Sequence, residues 1–208
     1  MIELVIDHLV YATPDLDLTV AELTRKGLAL SPGGAHDGLG TRNALADLGG
    51  GAYLEVIGPD PAQPEPAQPR PFGIDGLAAP RLVAWAVRVA DLDVAVATAR
   101  SRGHDPGPAR DMARLRGDGV RLAWRLTPPP AALPEVVPFL IAWGDTEHPS
   151  RTAARGARLG SFTAAHPEPA GAGERLAALG ITDFTVVTGP TPTLRAVIET
   201  PAGPVELT

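Results

Sequence analysis

Residues Tyr11–Gly27, YATPDLDLTVAELTRKG, recur in altered form as residues Val87–Gly103, VRVADLDVAVATARSRG, 76 positions later. The DLD tripeptide and the closing glycine appear in both copies. In each copy an apolar run precedes an acidic turn and a stretch of helical periodicity, which predicts a strand leading into a helix with carboxylates in its first turn. A repeat of such long period indicates a duplicated supersecondary unit whose copies bury each other's faces. We therefore expect the functional site between the two copies.

A weaker third copy follows at Ser161–Gly180, SFTAAHPEPAGAGERLAALG. After each copy the chain continues in short β-rich runs separated by Gly and Pro, so each unit is predicted to form a strand, a helix and three further strands. The helices are expected at about residues 15–26, 91–102 and 170–179. The predicted fold class is therefore α+β, with βαβββ modules in tandem and a third such module at the C-terminus.

The module boundaries follow from the turn-rich segments between the copies. We expect module one at residues 1–58, module two at residues 81–143 and module three at residues 159–208. The first linker, residues 59–80, is rich in Pro and should be an extended, semi-rigid connector. The second linker, residues 144–158, is polar enough for the surface. Its His and Pro would suit a lid, although plain linkage is the simpler interpretation.

Composition limits the classes of function. The 208 residues are 44% hydrophobic, which is typical of one globular domain or two small ones and excludes a wholly disordered chain. The absence of cysteine excludes disulfides and thiolate metal sites. A net charge of −6 argues against nucleic acid as a partner. No apolar run reaches the roughly 20 residues of a membrane helix, and the N-terminus resembles no leader peptide. We therefore expect a cytoplasmic protein, and the Arg-, Ala- and Pro-rich composition suggests a bacterial gene of high GC content.

Two polar side chains interrupt apolar strands of module one. His8 lies in the first predicted strand, and Glu55 lies in the strand AYLEVIG. A carboxylate within a buried strand is costly unless it is paired or binds a metal. Taken singly, His8 would be a hydrogen-bonded core histidine and Glu55 could face solvent. Together, in the first and last strands of one unit, they indicate acid/base catalysis or a divalent metal such as Fe, Mn, Ni or Zn.

The segment GGAHDGLGTRNALADLG, residues 33–49, is the most distinctive local motif. Four glycines between positions 33 and 40 could let bare backbone approach a ligand. His36 is a titratable group, and Thr41 and Asn43 offer hydroxyl and amide contacts. The alternative is a glycine-rich β connection whose polar side chains are solvated.

The three tryptophans, Trp85, Trp124 and Trp143, all lie in or beside strands of module two. They could line an apolar cleft for a small organic ligand, with Trp85 as our candidate contact. Packing in the core of that module is the alternative.

These segments together resemble the vicinal oxygen chelate superfamily, and within it the glyoxalase-like proteins. In that superfamily, curled βαβββ modules pair to enclose a cleft, and a His of the first strand and a Glu of the fourth strand typically bind a divalent metal. The resemblance therefore implies that His8 and Glu55 are metal ligands and catalytic residues, and that His36, Thr41 and Asn43 border the substrate. The segments that carry it are IDHLVYATPDLD (6–17), the glycine-rich motif (33–49), AYLEVIG (52–58) and RLVAWAVRVADLD (81–93).

Module two departs from the family pattern. The repeat register places Ala84 where module one has His8, and the last strand of module two contains no Glu. A third metal ligand would then come from elsewhere. His148, beyond the last strand of module two, would complete a set of two His and one carboxylate. We favour it because a His directly before Pro in a linker is less easily explained by packing, and a surface histidine is the simpler interpretation. The alternative is Glu206, which matches Glu55 by local pattern, although Ser161 stands at the corresponding His position.

Three functions are consistent with these features. The first is a metal-dependent lyase, isomerase or dioxygenase acting on a small oxygen-bearing substrate. The second is a metal-free enzyme that uses His8, His36 or Glu55 as acid and base. The third is a non-catalytic protein that sequesters a small molecule. Metal content distinguishes the first from the others, and turnover distinguishes the second from the third. A homodimer is compatible with all three.

Overall fold

The computed structural model describes residues 6–115, 119–129 and 133–208, and it has the predicted α+β character. In chain order the elements are β1 (Ile6–Ala12), α1 (Leu16–Arg25), β2 (Ser31–His36), β3 (Thr41–Asp47), β4 (Tyr53–Pro59), a 3₁₀ helix (Pro71–Gly76), β5 (Arg81–Arg88), α2 (Leu92–Ser101), β6 (Arg110–Leu115), β7 (Arg121–Leu126), β8 (Phe139–Ala142), a second 3₁₀ helix (Pro149–Arg151), β9 (Arg158–His166), α3 (Pro169–Ala178), β10 (Val186–Thr188), β11 (Thr193–Thr200) and β12 (Gly203–Leu207).

The duplicated phrase forms the same structure twice. In both copies the first Asp of DLD is the N-cap, since its carboxylate accepts a hydrogen bond from a backbone N–H at the start of the helix. Asp15 accepts from Leu18 at 3.0 Å, and Asp91 accepts from Val94 at 3.0 Å. The second Asp of each copy lies in the first turn, where its negative charge interacts favourably with the positive end of the helix dipole. The three helices lie within a residue or so of their predicted bounds, which confirms the prediction.

Modules one and two share one eight-stranded sheet with the order β2-β3-β4-β1-β5-β8-β7-β6. Each half places its first strand beside its fourth in parallel, and the two halves meet where β1 pairs with β5 in antiparallel orientation. The sheet curls until its two edges are linked, because the Arg114 side chain on β6 donates a hydrogen bond to the carbonyl of Gly33 on β2. The prediction of paired βαβββ modules around a cleft is confirmed.

The central strands β4, β1, β5 and β8 are buried on both faces, so they are more apolar than strands of a half-exposed sheet. Side chains alternate between the faces. On β1, Leu9 belongs to a core under the helices, and Val10 belongs to a smaller apolar cluster on the inner face. On β4, Leu54 and Val56 contact the outer core while Tyr53 and Ile57 point inward. The inner, concave face is therefore the one available for a ligand.

Module three has the predicted element order but a different strand order. Its sheet runs β10-β9-β11-β12, so β9 pairs with β10 in parallel and with β11 in antiparallel orientation. It packs against the outer face of the large sheet, where the backbone N–H of Leu82 donates to the carbonyl of Thr208 at 2.8 Å. The third module therefore covers the sheet from outside and is not a third wall of the cleft.

The packing of module three contradicts the prediction that Trp85 contacts a ligand in the cleft. Its side chain is fully buried on the outer face, where the ring contacts Phe162 and Phe184 of module three and the indole N–H donates to the carbonyl of Val136 at 2.9 Å. The alternative of core packing is correct for this residue. By contrast, Trp124 and Trp143 do line the cleft.

Within the described residues, no helix combines the length and the apolar character needed to cross a membrane.

The caps of the duplicated helices give a first test. Asp91→Ala should lower the free energy of unfolding by about 1 kcal/mol, because the N–H of Val94 would lose its acceptor. Urea unfolding monitored by circular dichroism measures the change. Asp91→Asn is the matched control, since its side-chain oxygen can still accept; a loss equal to that of the Ala variant would show that the hydrogen bond is not the source of the stabilisation.

Candidate active site inside the curled sheet

The concave face of the large sheet encloses a cavity of about 240 Å³. Most of its wall is apolar or aromatic, and its polar groups are concentrated on module one and on β6. Residues from both modules and from both irregular segments that follow β4 and β7 contribute to the lining: His8, His36, Leu39, Asn43, Tyr53, Glu55, Ile57, Pro71, Phe72, Arg110, Met112, Arg114, Trp124, Leu126, Pro128, Pro129, Phe139, Ile141 and Trp143.

His8 and Glu55 lie together in this cavity, as the sequence led us to expect. His8 Nε2 is 3.8 Å from Glu55 Oε2, and the two residues are 4% and 8% exposed. Adjacent parallel strands bring them together, since His8 on β1 pairs with Tyr53 on β4 and Glu55 follows two positions later on the same face. The His8 ring also stacks on Tyr53, with 4.7 Å between ring centroids.

Asp7 orients His8, and sequence reasoning missed it. His8 Nδ1 lies 2.7 Å from Asp7 Oδ1. A carboxylate can only accept, so Nδ1 carries the proton and the Nε2 lone pair faces the cavity. Strand alternation would turn Asp7 away from His8, but β1 has a register shift between Ile6 and His8 against β5, and the two neighbours can meet. The only signal in the sequence is an Asp within an apolar strand.

The Asp7 carboxylate is fully buried and accepts three side-chain hydrogen bonds. Besides His8, it accepts from Trp143 Nε1 at 3.0 Å and from His148 Nε2 at 2.9 Å. Burial by itself raises the pKa of Asp7, but the hydrogen bonds from His148 and His8 outweigh it and hold the pKa well below its usual range. Asp7 is therefore a permanent anion that keeps His8 in one tautomer and one orientation.

A second chain of hydrogen bonds holds Glu55. Asn43 Nδ2 donates to Glu55 Oε1 at 2.6 Å and lies 3.3 Å from His36 Nε2. His36 Nδ1 in turn lies 3.0 Å from Thr41 Oγ1. The two amide protons of Asn43 thus reach Glu55 and His36, which leaves Glu55 Oε2 directed towards His8. Of the three predicted border residues, His36 and Asn43 reach the cavity, and Thr41 supports His36 from behind.

Gly33 is required for this chain. A Cβ at position 33 would lie 2.0 Å from Asn43 Oδ1, so any other residue would displace the Asn43 side chain. We expected the glycines to bring bare backbone to a ligand. At this position the missing side chain instead makes room for the residue that holds Glu55.

His36 and Tyr53 have pKa values shifted by their surroundings. Burial lowers the pKa of His36, and the neighbouring Glu55 carboxylate opposes this only in part. Burial raises the pKa of the Tyr53 hydroxyl, and the charges of Asp7 and Glu55 raise it further. At neutral pH His36 is therefore uncharged, and Tyr53 retains its proton and can donate it in a hydrogen bond.

Module two and the Pro-rich linker contribute walls that the sequence did not reveal. Alternate residues of β6, namely Arg110, Met112 and Arg114, point into the cavity. From the linker, Pro71 and Phe72 also line it. The segment is therefore part of the site rather than only an extended connector.

The linker is held in place by Arg70. Its guanidinium pairs with Glu65 and Asp75, and its Nε donates to the carbonyl of Gly40 at 3.0 Å. The Pro-rich segment is thereby tied to the turn between β2 and β3.

His148 and Glu206 are not brought to His8 and Glu55. Both ring nitrogens of His148 are engaged, Nε2 with Asp7 and Nδ1 with Ser150, and its position behind Asp7 makes it a support of His8. Glu206 pairs with Arg195 at 2.6 Å on the exposed face of module three. The structure therefore supports neither His148 nor Glu206 as the third metal ligand.

The residues present do not form a complete site for the divalent ion that the resemblance implies. His8 and Glu55 supply two donors, but Asn43 directs an N–H, not a lone pair, at Glu55. On the module two side, the lining offers Arg110 and Arg114, whose charge repels a cation. Across residues 6–115, 119–129 and 133–208, no cluster of three or more His, Cys, Asp or Glu could hold a metal ion.

A family model and a solved structure from Staphylococcus aureus agree with the fold. A family model described as "Glyoxalase-like domain" matches residues 6–180. Among solved structures, a hypothetical protein from Staphylococcus aureus is 13% identical over 92% of this chain and 88% of its own, with a TM-score of 0.65. A methylmalonyl-CoA epimerase from Mycobacterium tuberculosis is 24% identical over 68% of this chain and 91% of its own, with a TM-score of only 0.42. No curated protein matches the sequence.

The lowered pKa of His36 should make stability depend on pH. In the unfolded chain His36 takes up a proton as the pH falls below about 6.5, whereas in the folded protein it resists protonation until a lower pH. The free energy of unfolding should therefore decrease as the pH falls below about 6.5. Urea unfolding at about pH 7.5 and about pH 5.5 should show a smaller loss for His36→Asn than for the natural protein. Equal losses would contradict this.

Proposed function

The chain belongs to the glyoxalase-like domain family, as its resemblance to the vicinal oxygen chelate superfamily predicts, and we propose that it is an enzyme that moves a proton on a small oxygen-bearing organic substrate. One observation supports this above the others: His8 Nε2 and Glu55 Oε2 lie 3.8 Å apart in the cavity, each held from behind by a buried partner. Asp7 holds His8, and Asn43 holds Glu55. Two oriented proton-accepting groups are what acid/base catalysis requires.

In this proposal Glu55 is the first base. It accepts a proton from a carbon beside a carbonyl group, and the electron pair of the broken C–H bond moves onto the carbonyl oxygen as an enolate. Delivery of a proton to the opposite face of the same carbon completes an epimerisation, and delivery to a neighbouring atom completes an isomerisation. Departure of a β substituent completes an elimination. His8 Nε2 is positioned to receive the proton from Glu55 or to accept one from a substrate hydroxyl.

The negative charge on the enolate oxygen needs positive or hydrogen-bonding groups that are already in place. Tyr53 supplies an O–H that stays protonated because burial raises its pKa. Arg114, only 5% exposed, contributes positive charge to the same cavity. The apolar walls formed by Phe139 and Ile141 exclude water and strengthen both interactions.

The metal-dependent function remains the second candidate, because one feature favours it. A histidine that binds a metal through one nitrogen commonly donates its other N–H to a carboxylate, and His8 does so to Asp7. A bound ion would supply a Lewis acid beside His8 and Glu55. The described residues lack a third ligand, so we favour the acid/base enzyme.

The sequence also predicts a bacterial, cytoplasmic protein that binds no nucleic acid and could form homodimers. These remain predictions. Sedimentation analysis of the purified protein would measure its assembly state.

Exchange of carbon-bound hydrogen tests the acid/base function. Incubating the protein in D₂O with a panel of small carbonyl compounds and recording proton NMR should reveal loss of a C–H signal from at least one of them. Glu55→Gln should slow that exchange roughly 10²- to 10⁴-fold, because it removes the base. Glu174→Gln on the exposed face of α3 is the matched control and should change nothing. Full exchange activity in the Glu55 variant would refute the assignment.

Metal removal separates the two candidates. Dialysis against a chelator should leave the exchange rate unchanged, and addition of Fe, Mn, Ni or Zn should not increase it, since no step depends on an ion. If activity instead disappears on chelation and returns with one metal, and if His8→Ala abolishes binding of that metal, the metal-dependent function is the correct one.

A further inference from the structure

We propose that the ligand of this cleft is a small carboxylate with an apolar body, and that Arg110 binds its carboxylate at the cleft mouth. The inference deepens the proposed function by naming a substrate class. It rests on that function only for the reaction, because binding of the carboxylate does not depend on turnover.

The geometry of β6 places Arg110 on the cleft. Side chains of a strand alternate between its faces, and Arg110, Met112 and Arg114 all line the cavity. Arg110 is exposed and lies at the start of β6, opposite Leu126, whereas Arg114 is buried and tied to Gly33. Arg110 is therefore the positive group at the mouth, and Arg114 belongs to the interior.

The charge of Arg110 is not neutralised by the protein in the part of the chain that the structure describes. No ion pair or side-chain hydrogen bond of Arg110 occurs within residues 6–115, 119–129 and 133–208. Its neighbour Asp111 faces the opposite side of the strand, where it pairs with Arg125 at 3.1 Å. Arg125 also pairs with Asp93 at 2.7 Å. On a protein of net charge −6, a cation at the mouth of a cleft that has no counter-ion among the described residues favours an anionic ligand.

The remaining wall defines the body of the ligand. The cavity of about 240 Å³ is smaller than the roughly 300–1,000 Å³ of pockets for drug-sized molecules. Trp124 and Trp143 form a tilted pair of rings with 5.4 Å between centroids, and Phe72 and Phe139 form another at 6.2 Å. Such a surface favours an apolar or aromatic group of modest size.

A carboxylate is the anion that best meets both requirements, a negative charge for Arg110 and an apolar body for the aromatic wall. Guanidinium binds it through two parallel N–H donors in one plane, and the planar group extends directly from an alkyl or aryl body. The carbon adjacent to a carbonyl function of the same ligand would then lie deeper, towards Glu55. The reactive carbon and the anionic group are thus recognised by different ends of the cleft.

Binding of carboxylates and their matched amides tests the proposal. The probes are phenylacetate, 3-phenylpropionate and 4-methylpentanoate, each paired with its primary amide. Titration is followed by tryptophan fluorescence, since Trp124 and Trp143 line the cavity, and by calorimetry. The carboxylates should bind at least about tenfold more tightly than the amides, because a hydrogen-bonded charge pair adds to the shared apolar contact. The preference should weaken as salt is added.

Arg110→Gln should reduce the preference for carboxylates to near unity and leave binding of the amides unchanged. Arg121→Gln is the matched control, since Arg121 on β7 is exposed and lies one position out of step with Leu122 and Trp124. It removes the same charge from the outer face and should keep the full preference. The proposal is overturned if the amides bind as well as the carboxylates, if Arg110→Gln retains the preference, or if no carboxylate binds at millimolar concentration.

Glu55→Gln separates this inference from the proposed function. It should slow hydrogen exchange roughly 10²- to 10⁴-fold while the preference for carboxylates persists. If the variant exchanges hydrogen at the rate of the natural protein but the preference depends on Arg110, the acid/base role of Glu55 is wrong and the carboxylate site stands. If exchange depends on Glu55 but Arg110→Gln has no effect on binding, the reverse holds.

Discussion

The antiparallel pairing of β1 with β5 is the constraint on which the rest of the molecule depends. It joins two curled half-sheets at their first strands, so the concave faces of both modules open into one space. It also sets the position of the candidate site, because His8 lies on the joining strand and pairs with Ala86 across the junction. A strand at the centre of a sheet is held on both sides, which makes it a rigid support for a residue that must keep one orientation.

Burial of charge within this frame is balanced by hydrogen bonding. Asp7 is fully buried in the joining strand β1, where an unpaired carboxylate would be strongly unfavourable. Three N–H donors surround it, from His8, Trp143 and His148. They come from the first strand, the end of module two and the second linker, so the carboxylate also ties these segments together. The same contacts that make its burial tolerable orient His8.

The two modules have diverged in what they bring to the cleft. Module one supplies the proton-accepting groups, held by the chain from Thr41 through His36 and Asn43 to Glu55. Module two supplies aromatic walls and the arginines of β6. A duplicated unit lets one copy keep a reactive pair while the other changes to shape and charge the opposite wall. Module three packs on the outer face of modules one and two, where it covers Trp85.

The sequence by itself determined the helices, the tandem modules, the family and the meeting of His8 with Glu55. The helices and the tandem units follow from local rules, since an N-cap Asp starts each duplicated helix. The family and the meeting of His8 with Glu55 follow from the resemblance, which implies that their two strands share a cleft. The alternation of side chains along a strand distinguishes two faces but does not say which becomes the cleft and which is covered, so Trp85 was placed wrongly. Three features depend on contacts between segments far apart in the chain. They are the register shift that lets Asp7 reach His8, the hydrogen bond of His148 to Asp7 and the position of Phe72 at the cleft. No local pattern encodes those contacts, and only the tertiary structure decided them.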